Sequence, residues 1–162
     1  MGTKHATMGY ALAMNTAPAL TTAAITALLR SAHTIAIVGL SPKPHRDSFG
    51  VAQYLQAAGY RIIPVNPVVA ASSEPSILGE HCYASLAAAQ AALPAGQRID
   101  IVDIFRNSDD VPPVVQDAIA VKAGAVWMQL GIGHDAAALA AQAAGLQVVQ
   151  NRCIKIDHHQ LL

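Results

Sequence analysis

Five short apolar runs, Thr34–Val38, Arg61–Val65, 99–105, 125–130 and 146–150, recur along the chain with alanine-rich stretches between them. Each run is nearly continuous in apolar residues rather than alternating, as expected of parallel strands covered on both faces. Parallel neighbours cannot be joined by a tight hairpin, and the intervening stretches are long enough for crossover helices. The expected fold is therefore α/β. It is a Rossmann-like three-layer sandwich with a parallel sheet of about five strands, order 3-2-1-4-5, and helices on both faces. A weak third strand is expected near 81–83, and 67–79 is expected to be a surface loop.

Helices are expected at 21–30, 48–58, 85–92, 112–123 and 135–144. Gly59, Gly124 and Gly145 each follow such a stretch and can take the left-handed cap that other residues resist. Pro112 and Pro113 suit a first helical turn, and Ser85 is placed to cap the segment after it. Hydrophobic residues make up 53% of the chain and charged residues 12%, so a sizeable core can form. Much of the apolar content is alanine, which implies closely packed helices rather than bulky aromatic layers.

The zero formal net charge gives no global field to attract nucleic acid or an anionic membrane. Two cysteines, Cys82 and Cys153, are too few for a disulfide framework and suit a reducing, cytoplasmic setting. The alanine-rich opening is diluted by Asn15, Pro18 and the threonines Thr7, Thr16, Thr21, Thr22 and Thr26, which argues against a secretory signal. No run approaches the roughly 18 apolar residues of a membrane span. Residues 1–20 are expected to be a flexible segment, and 21–162 a single domain.

In an open α/β sheet, ligands bind beyond the carboxyl ends of the strands, where strand order reverses. Five of the ten basic residues fall in the loops expected there: Lys43, Arg46, Arg106, Arg152 and Lys155. They can simply solvate those loops, or they can gather a small polyanion, and both readings stand at this level. Ser41 and a helix N-terminus near Ser48 add amide donors and a dipole that favour phosphate. A nicotinamide dinucleotide would need Gly-x-Gly-x-x-Gly at the first turn and an acid ending strand two. Here Ser41, Lys43 and Pro44 follow Gly39, and strand two ends in Asn66-Pro67. No Gly-Lys-Ser or Gly-Lys-Thr of a Walker loop occurs.

The segment Ile37-Val38-Gly39-Leu40-Ser41-Pro42-Lys43-Pro44, with Arg46 and Ser48, resembles the signature turn of the stand-alone CoA-binding proteins. Those proteins are similar to the CoA-binding domain of the succinyl-CoA synthetase alpha subunit. Val65-Asn66-Pro67, Ile77-Leu78-Gly79-Glu80 and 100–106 followed by Asp110-Val111-Pro112 match the same family in order. So do Trp127-Met128-Gln129-Leu130-Gly131 and Asn151-Arg152-Cys153 with Lys155. The resemblance spans about 34–158, and six weak motifs in register are together specific.

It implies coenzyme A in the crevice. Gly39, Ser41, Pro42 and Ser48 would form the pyrophosphate turn, with Lys43 and Arg46 supplying charge. Val65-Asn66-Pro67 would wall the adenosine, and Phe105-Arg106 would flank the nucleotide. Gln129-Leu130-Gly131 would line the side towards the pantetheine arm. Either Arg46 or Arg106 could meet the 3′-phosphate through paired donors. No segment matches the phosphohistidine site of the synthetase, and residues 1–30 match nothing in the family.

Cys153, between Arg152 and Lys155, is either an inert half-buried thiol or one that reaches the CoA thiol and forms a reversible mixed disulfide. An adduct with oxidised CoA, read by mass spectrometry, separates the two. No spacing of the seven histidines and two cysteines makes a zinc site, and His158-His159 are expected at a solvated end. Asp100 and Asp103, three apart on a strand, point to opposite faces, and Asp103 is expected to be a structural hydrogen-bond acceptor. Trp127 is expected in the core or lining the crevice.

With no complete catalytic constellation, the expected function is binding of CoA or a short acyl-CoA, as carrier or regulator, not catalysis. The alternatives are a subunit of an acyl-CoA ligase or transferase system and an NAD(P)-binding Rossmann protein. A homo-oligomer or a separate protein partner is compatible with either reading.

Overall fold

The computed structural model describes residues 16–162. Most of the segment expected to be flexible, 1–15, lies outside the described residues. From Ala17 the chain lies against the body: Ala17 is buried, and Gln142 Nε2 donates to the Pro18 carbonyl at 3.0 Å.

The elements run α1 (Thr22–Ser31), β1 (Thr34–Val38), α2 (Asp47–Ala57), β2 (Arg61–Val65), α3 (Pro67–Ala70), β3 (Ser76–Ile77) and β4 (Glu80–His81). They continue with α4 (Leu86–Ala91), β5 (Ile101–Ile104), a 3-10 turn (Ser108–Asp110), α5 (Val111–Ala120), β6 (Ala125–Met128), α6 (Asp135–Ala143), β7 (Gln147–Val149) and α7 (Ile154–Leu161). The main sheet is parallel throughout, in the order β2-β1-β5-β6-β7. The strand expected beyond β2 shrinks to one bridge: Tyr83 N–H donates to Pro64 and Asn66 N–H to Tyr83, at 3.0 and 2.9 Å. Ser85 caps α4 two residues later, which leaves no chain to lengthen that ladder.

Period-two alternation splits the strand side chains between two cores. Ala36, Val102, Ile104, Val126 and Met128 pack under α4, α5 and α6. Ile35, Ile37, Ile101, Ala125 and Trp127 pack under α1, α2 and α7. The strands are apolar on both faces because each face is roofed by helices.

Several boundaries differ from expectation. Residues 67–79 contain the short helix α3 and the strand β3 instead of only loop, because Asn66 caps α3 and Pro67 opens it. The C-terminal helix α7 carries few apolar residues, yet Ile154 and Asp157 are buried against the body. Gly59 and Gly145 take positive φ as expected, whereas after α5 it is Lys122 that does so, at φ 59°. Gly124 is required instead for close approach: a Cβ there would lie 2.8 Å from the Asp100 carbonyl oxygen.

β1 is flanked by β2 on one side and β5 on the other. The chain therefore leaves β1 in one direction and later returns to its opposite edge. Beyond Val38 and Ile104, where these neighbours end, lies the reversal point of the sheet.

Candidate functional site

Gly39 and Phe105 meet at that reversal point. Gly39 has φ 86°, and its N–H donates to the Val65 carbonyl at 3.0 Å. A Cβ on Gly39 would stand 2.3 Å from the Phe105 carbonyl oxygen, so only glycine fits between the ends of β1 and β5. Asn66, at the end of β2, accepts from Val68 and Val69 N–H with Oδ1 and donates to the Leu40 carbonyl with Nδ2, at 3.0–3.2 Å. Its side chain is thus a clamp between the second strand and the first loop, a role that its position in the sequence does not disclose.

The turn after β1 is closed by its own hydroxyls. Ser41 N–H donates to Ser48 Oγ at 3.0 Å, and Lys43 N–H donates to Ser41 Oγ at 3.1 Å. The Ser41 amide is therefore occupied within the turn. At the start of α2, no hydrogen bond to another described residue engages the Asp47 or Ser48 N–H. Those two amides, on an eleven-residue helix, remain available to an anion. The Asp47 carboxylate stands on the same first turn. Lys43 and Arg46 are exposed and form no ion pair with any described residue.

Three open cavities run along this edge and share walls. The middle one, about 410 Å³, is lined by Gly39, Ser41, Lys43, Arg46, Asp47, Ser48 and Phe105. On the β2 side a cavity of about 420 Å³ takes in Val65, Asn66, Pro67, Phe105 and Arg106. On the β6 side a cavity of about 590 Å³ is bounded by Arg46, Phe105, Gln129, Leu130, Ile132, Cys153, Lys155 and Ile156 among others. Phe105 borders all three. The crevice is accordingly a long trough with Lys43 and Arg46 at its middle; its β2-side end mixes Val65, Pro67 and Val68 with Arg106, Asp110 and Asp117, and its β6-side end mixes Leu130, Ile132 and Ile156 with Lys155.

Twelve of the fourteen residues singled out in the sequence line this trough. The other two, Pro42 and Gly131, border none of its three cavities. Gly131 turns the chain at φ 83° and its N–H donates to Asn151 Oδ1 at 2.7 Å, while Leu130 and Ile132 on either side reach the cavity. Asp110 and Asp117, which the sequence reading left out, face the β2-side cavity; their spacing of seven on or beside one helix was the available signal.

The five cations divide once their partners are known. Arg152 donates to both oxygens of Asp157, at 2.6 and 2.8 Å, and this pairing raises its pKa further. It is withdrawn from the crevice. Arg106 lies 3.7 Å from Asp110, an exposed pair that binds weakly. Lys43, Arg46 and Lys155 form no ion pair with any described residue, and the Lys155 ammonium lies over the Tyr54 ring, 5.7 Å from its centroid. Cys153 is half-buried in the cavity wall, while Cys82 is buried and its thiol pushed up by burial.

Asp103 is not the hydrogen-bonded acceptor expected. It is fully buried between Ile37 and Trp127 in register, and neither carboxyl oxygen has a hydrogen-bond partner. Burial pushes its pKa well above the usual carboxylate range, offset in small part by the nearby Ile104 N–H. Asp100 lies at the opposite, amino edge of the sheet, where it accepts from His33 and Thr34 N–H at 2.8 and 3.0 Å. Trp127 belongs to the core, with Nε1 donating to the Arg152 carbonyl at 2.8 Å.

His158 is likewise not at a solvated end. It pairs with Tyr54 Oη through Nδ1 at 2.8 Å and packs edge-on against Tyr54 and Tyr60, and burial lowers its pKa. Among the described residues no cluster of three or more His, Cys, Asp or Glu could hold a metal ion. No helix among them is long and apolar enough to cross a membrane.

Comparison with known proteins agrees with this geometry. The family model described as CoA binding domain matches residues 33–159. The Bacillus subtilis protein YneT, itself uncharacterized, is 35% identical over 136 residues, 84% of this chain and 93% of that protein. The protein ID.343 of Thermus thermophilus, whose structure is solved, is 33% identical with a TM-score of 0.78, covering 88% of this chain and all of that one. A hypothetical protein of Pyrococcus horikoshii is 36% identical with a TM-score of 0.75, covering 88% and 92% of the two chains.

Proposed function

The chain belongs to the CoA binding domain family, and from that premise we propose that its trough holds coenzyme A, free or as a short acyl thioester, without carrying out a reaction on it alone. The observation that carries this reading is the order of features along the trough. Two unpaired cations, Lys43 and Arg46, and the free Asp47 and Ser48 amides stand at its middle, between the β2-side and β6-side cavities. A diphosphate joining a nucleoside to a long uncharged arm has the same order.

In this reading the β2-side cavity takes the adenosine, against the exposed Pro67 and Val68. The β6-side cavity takes the pantetheine arm. A phosphate is bound by charge and amide donors, so the middle cavity supplies affinity, and the two end cavities, with apolar side chains among their linings, supply selectivity. The roles as carrier or regulatory partner follow from binding without turnover.

A thermal-shift panel of CoA, acetyl-CoA, NAD and NADP tests the reading, since a ligand of the native state raises stability by mass action. The largest rise is expected for CoA or acetyl-CoA, and a larger rise with NAD would overturn it. Lys43→Ala and Arg46→Ala are each expected to weaken CoA binding by roughly 1–3 kcal/mol, the scale of a charge-assisted hydrogen bond. Calorimetric titrations unchanged in both variants would remove the phosphate assignment from this turn.

A further inference from the structure

Gln129 is the first residue past β6, and it is 4% exposed on the wall of the β6-side cavity. Its Oε1 accepts a hydrogen bond from the Ile154 N–H at 3.1 Å. That bond fixes which way the carboxamide lies and turns its NH2 group away from α7. The NH2 has no hydrogen-bond partner among the described residues. It is not sealed in either, for the sealed and unpartnered side-chain polar atoms among those residues are the two of Asp103. The donor therefore opens on space, and the space Gln129 borders is the cavity.

The cavity beside this donor is lined by both apolar and cationic side chains. Leu130 is 66% exposed and Ile156 48%, and with Ile132 and Val51 they edge the cavity. Arg46 from the phosphate turn and Lys155 from α7 line the same cavity. A ligand entering with its phosphates at that turn would carry its terminal group to the apolar rim, past the Gln129 amide.

We propose that Gln129 selects the thioester form of the ligand, donating its free N–H to the carbonyl of a short acyl-CoA whose alkyl end rests on Leu130, Ile132 and Ile156. The proposal rests on the reading of the trough as a CoA site and deepens it to a ligand class. A thiol or thioether sulfur is a weak acceptor, whereas a thioester carbonyl oxygen is a good one. A ligand that covers this donor without accepting from it strips the donor of water at a cost in free energy, so the ligand that accepts its hydrogen bond is preferred.

Calorimetry on the full chain tests this with acetyl-CoA and its thioether counterpart S-ethyl-CoA, which has the same number of terminal carbons and no carbonyl. Acetyl-CoA is expected to bind roughly three- to tenfold more tightly, the net worth of one neutral hydrogen bond. In Gln129→Met that ratio is expected to fall to about one. The ratio is read rather than the absolute affinity, because loss of the Ile154 contact weakens both ligands alike. Equal affinities in the unaltered protein overturn the proposal, whether or not the variant folds, and a ratio retained in Gln129→Met removes Gln129 from it. Absence of binding by CoA and by both derivatives overturns the site reading instead.

Discussion

Gly39→Ala is expected to lower the stability of the protein by more than about 3 kcal/mol and to abolish CoA binding. Two costs act together. An alanine at φ 86° occupies left-handed backbone, which disfavours a Cβ by roughly 1–2 kcal/mol. The new Cβ would also stand 2.3 Å from the Phe105 carbonyl oxygen, a backbone atom that cannot rotate away. Relief requires the ends of β1 and β5 to part, yet Phe105 N–H is tied to the Val38 carbonyl at 2.9 Å and Gly39 N–H to Val65. Because Phe105 borders all three cavities, any such shift disturbs the whole trough. Urea denaturation compared with the unaltered protein measures the first effect, and titration with CoA the second. An alanine variant with an unchanged midpoint would show that the close approach of these strands is not what it is taken to be.

The second large effect concerns pH. Asp103 has a folded-state pKa raised well above its unfolded value of about 3.9, because its buried carboxyl has no partner to stabilise the charge. The native state therefore keeps a proton that the unfolded chain releases. The stability linked to that proton is fully present below about pH 4 and is lost as pH rises towards the folded pKa. The loss is about 1.4 kcal/mol per pH unit within that window.

Asp103→Asn removes the titration while keeping the shape. The variant should equal the native protein near pH 4 and become progressively more stable than it above that pH. Denaturant midpoints from pH 4 to 8 check this, and parallel curves for the two proteins would contradict it.

The two largest effects come from residues of very different legibility. Gly39 is visible in the sequence as the glycine that follows an apolar run, where a ligand turn is expected. Its closeness to Phe105, sixty-six positions away, is not visible, since it follows from β1 and β5 becoming neighbours only after β2, β3 and β4 have intervened. Asp103 reads in sequence as an ordinary acceptor, because nothing local says that Ile37 and Trp127 will stand on either side of it.

The trough shows the same division. Its cationic turn was legible because Lys43 and Arg46 act by charge and position, and neither depends on a distant partner. Arg152 was not, since Asp157 five residues on holds it only once α7 has formed. Asn66 and Gln129 were legible as wall residues but not as a clamp and a free donor, because their partners Leu40 and Ile154 lie 26 and 25 positions away.

What the amino-acid order determined alone was the backbone: five parallel strands, their crossover helices and the edge at which a phosphate turn would lie. Hydrogen-bond periodicity and capping are local, and a stretch of ten residues carries them. What the tertiary structure decided was which polar groups are spent and which remain. A side chain is free or engaged according to atoms that only the folded sheet brings within about 3 Å of it.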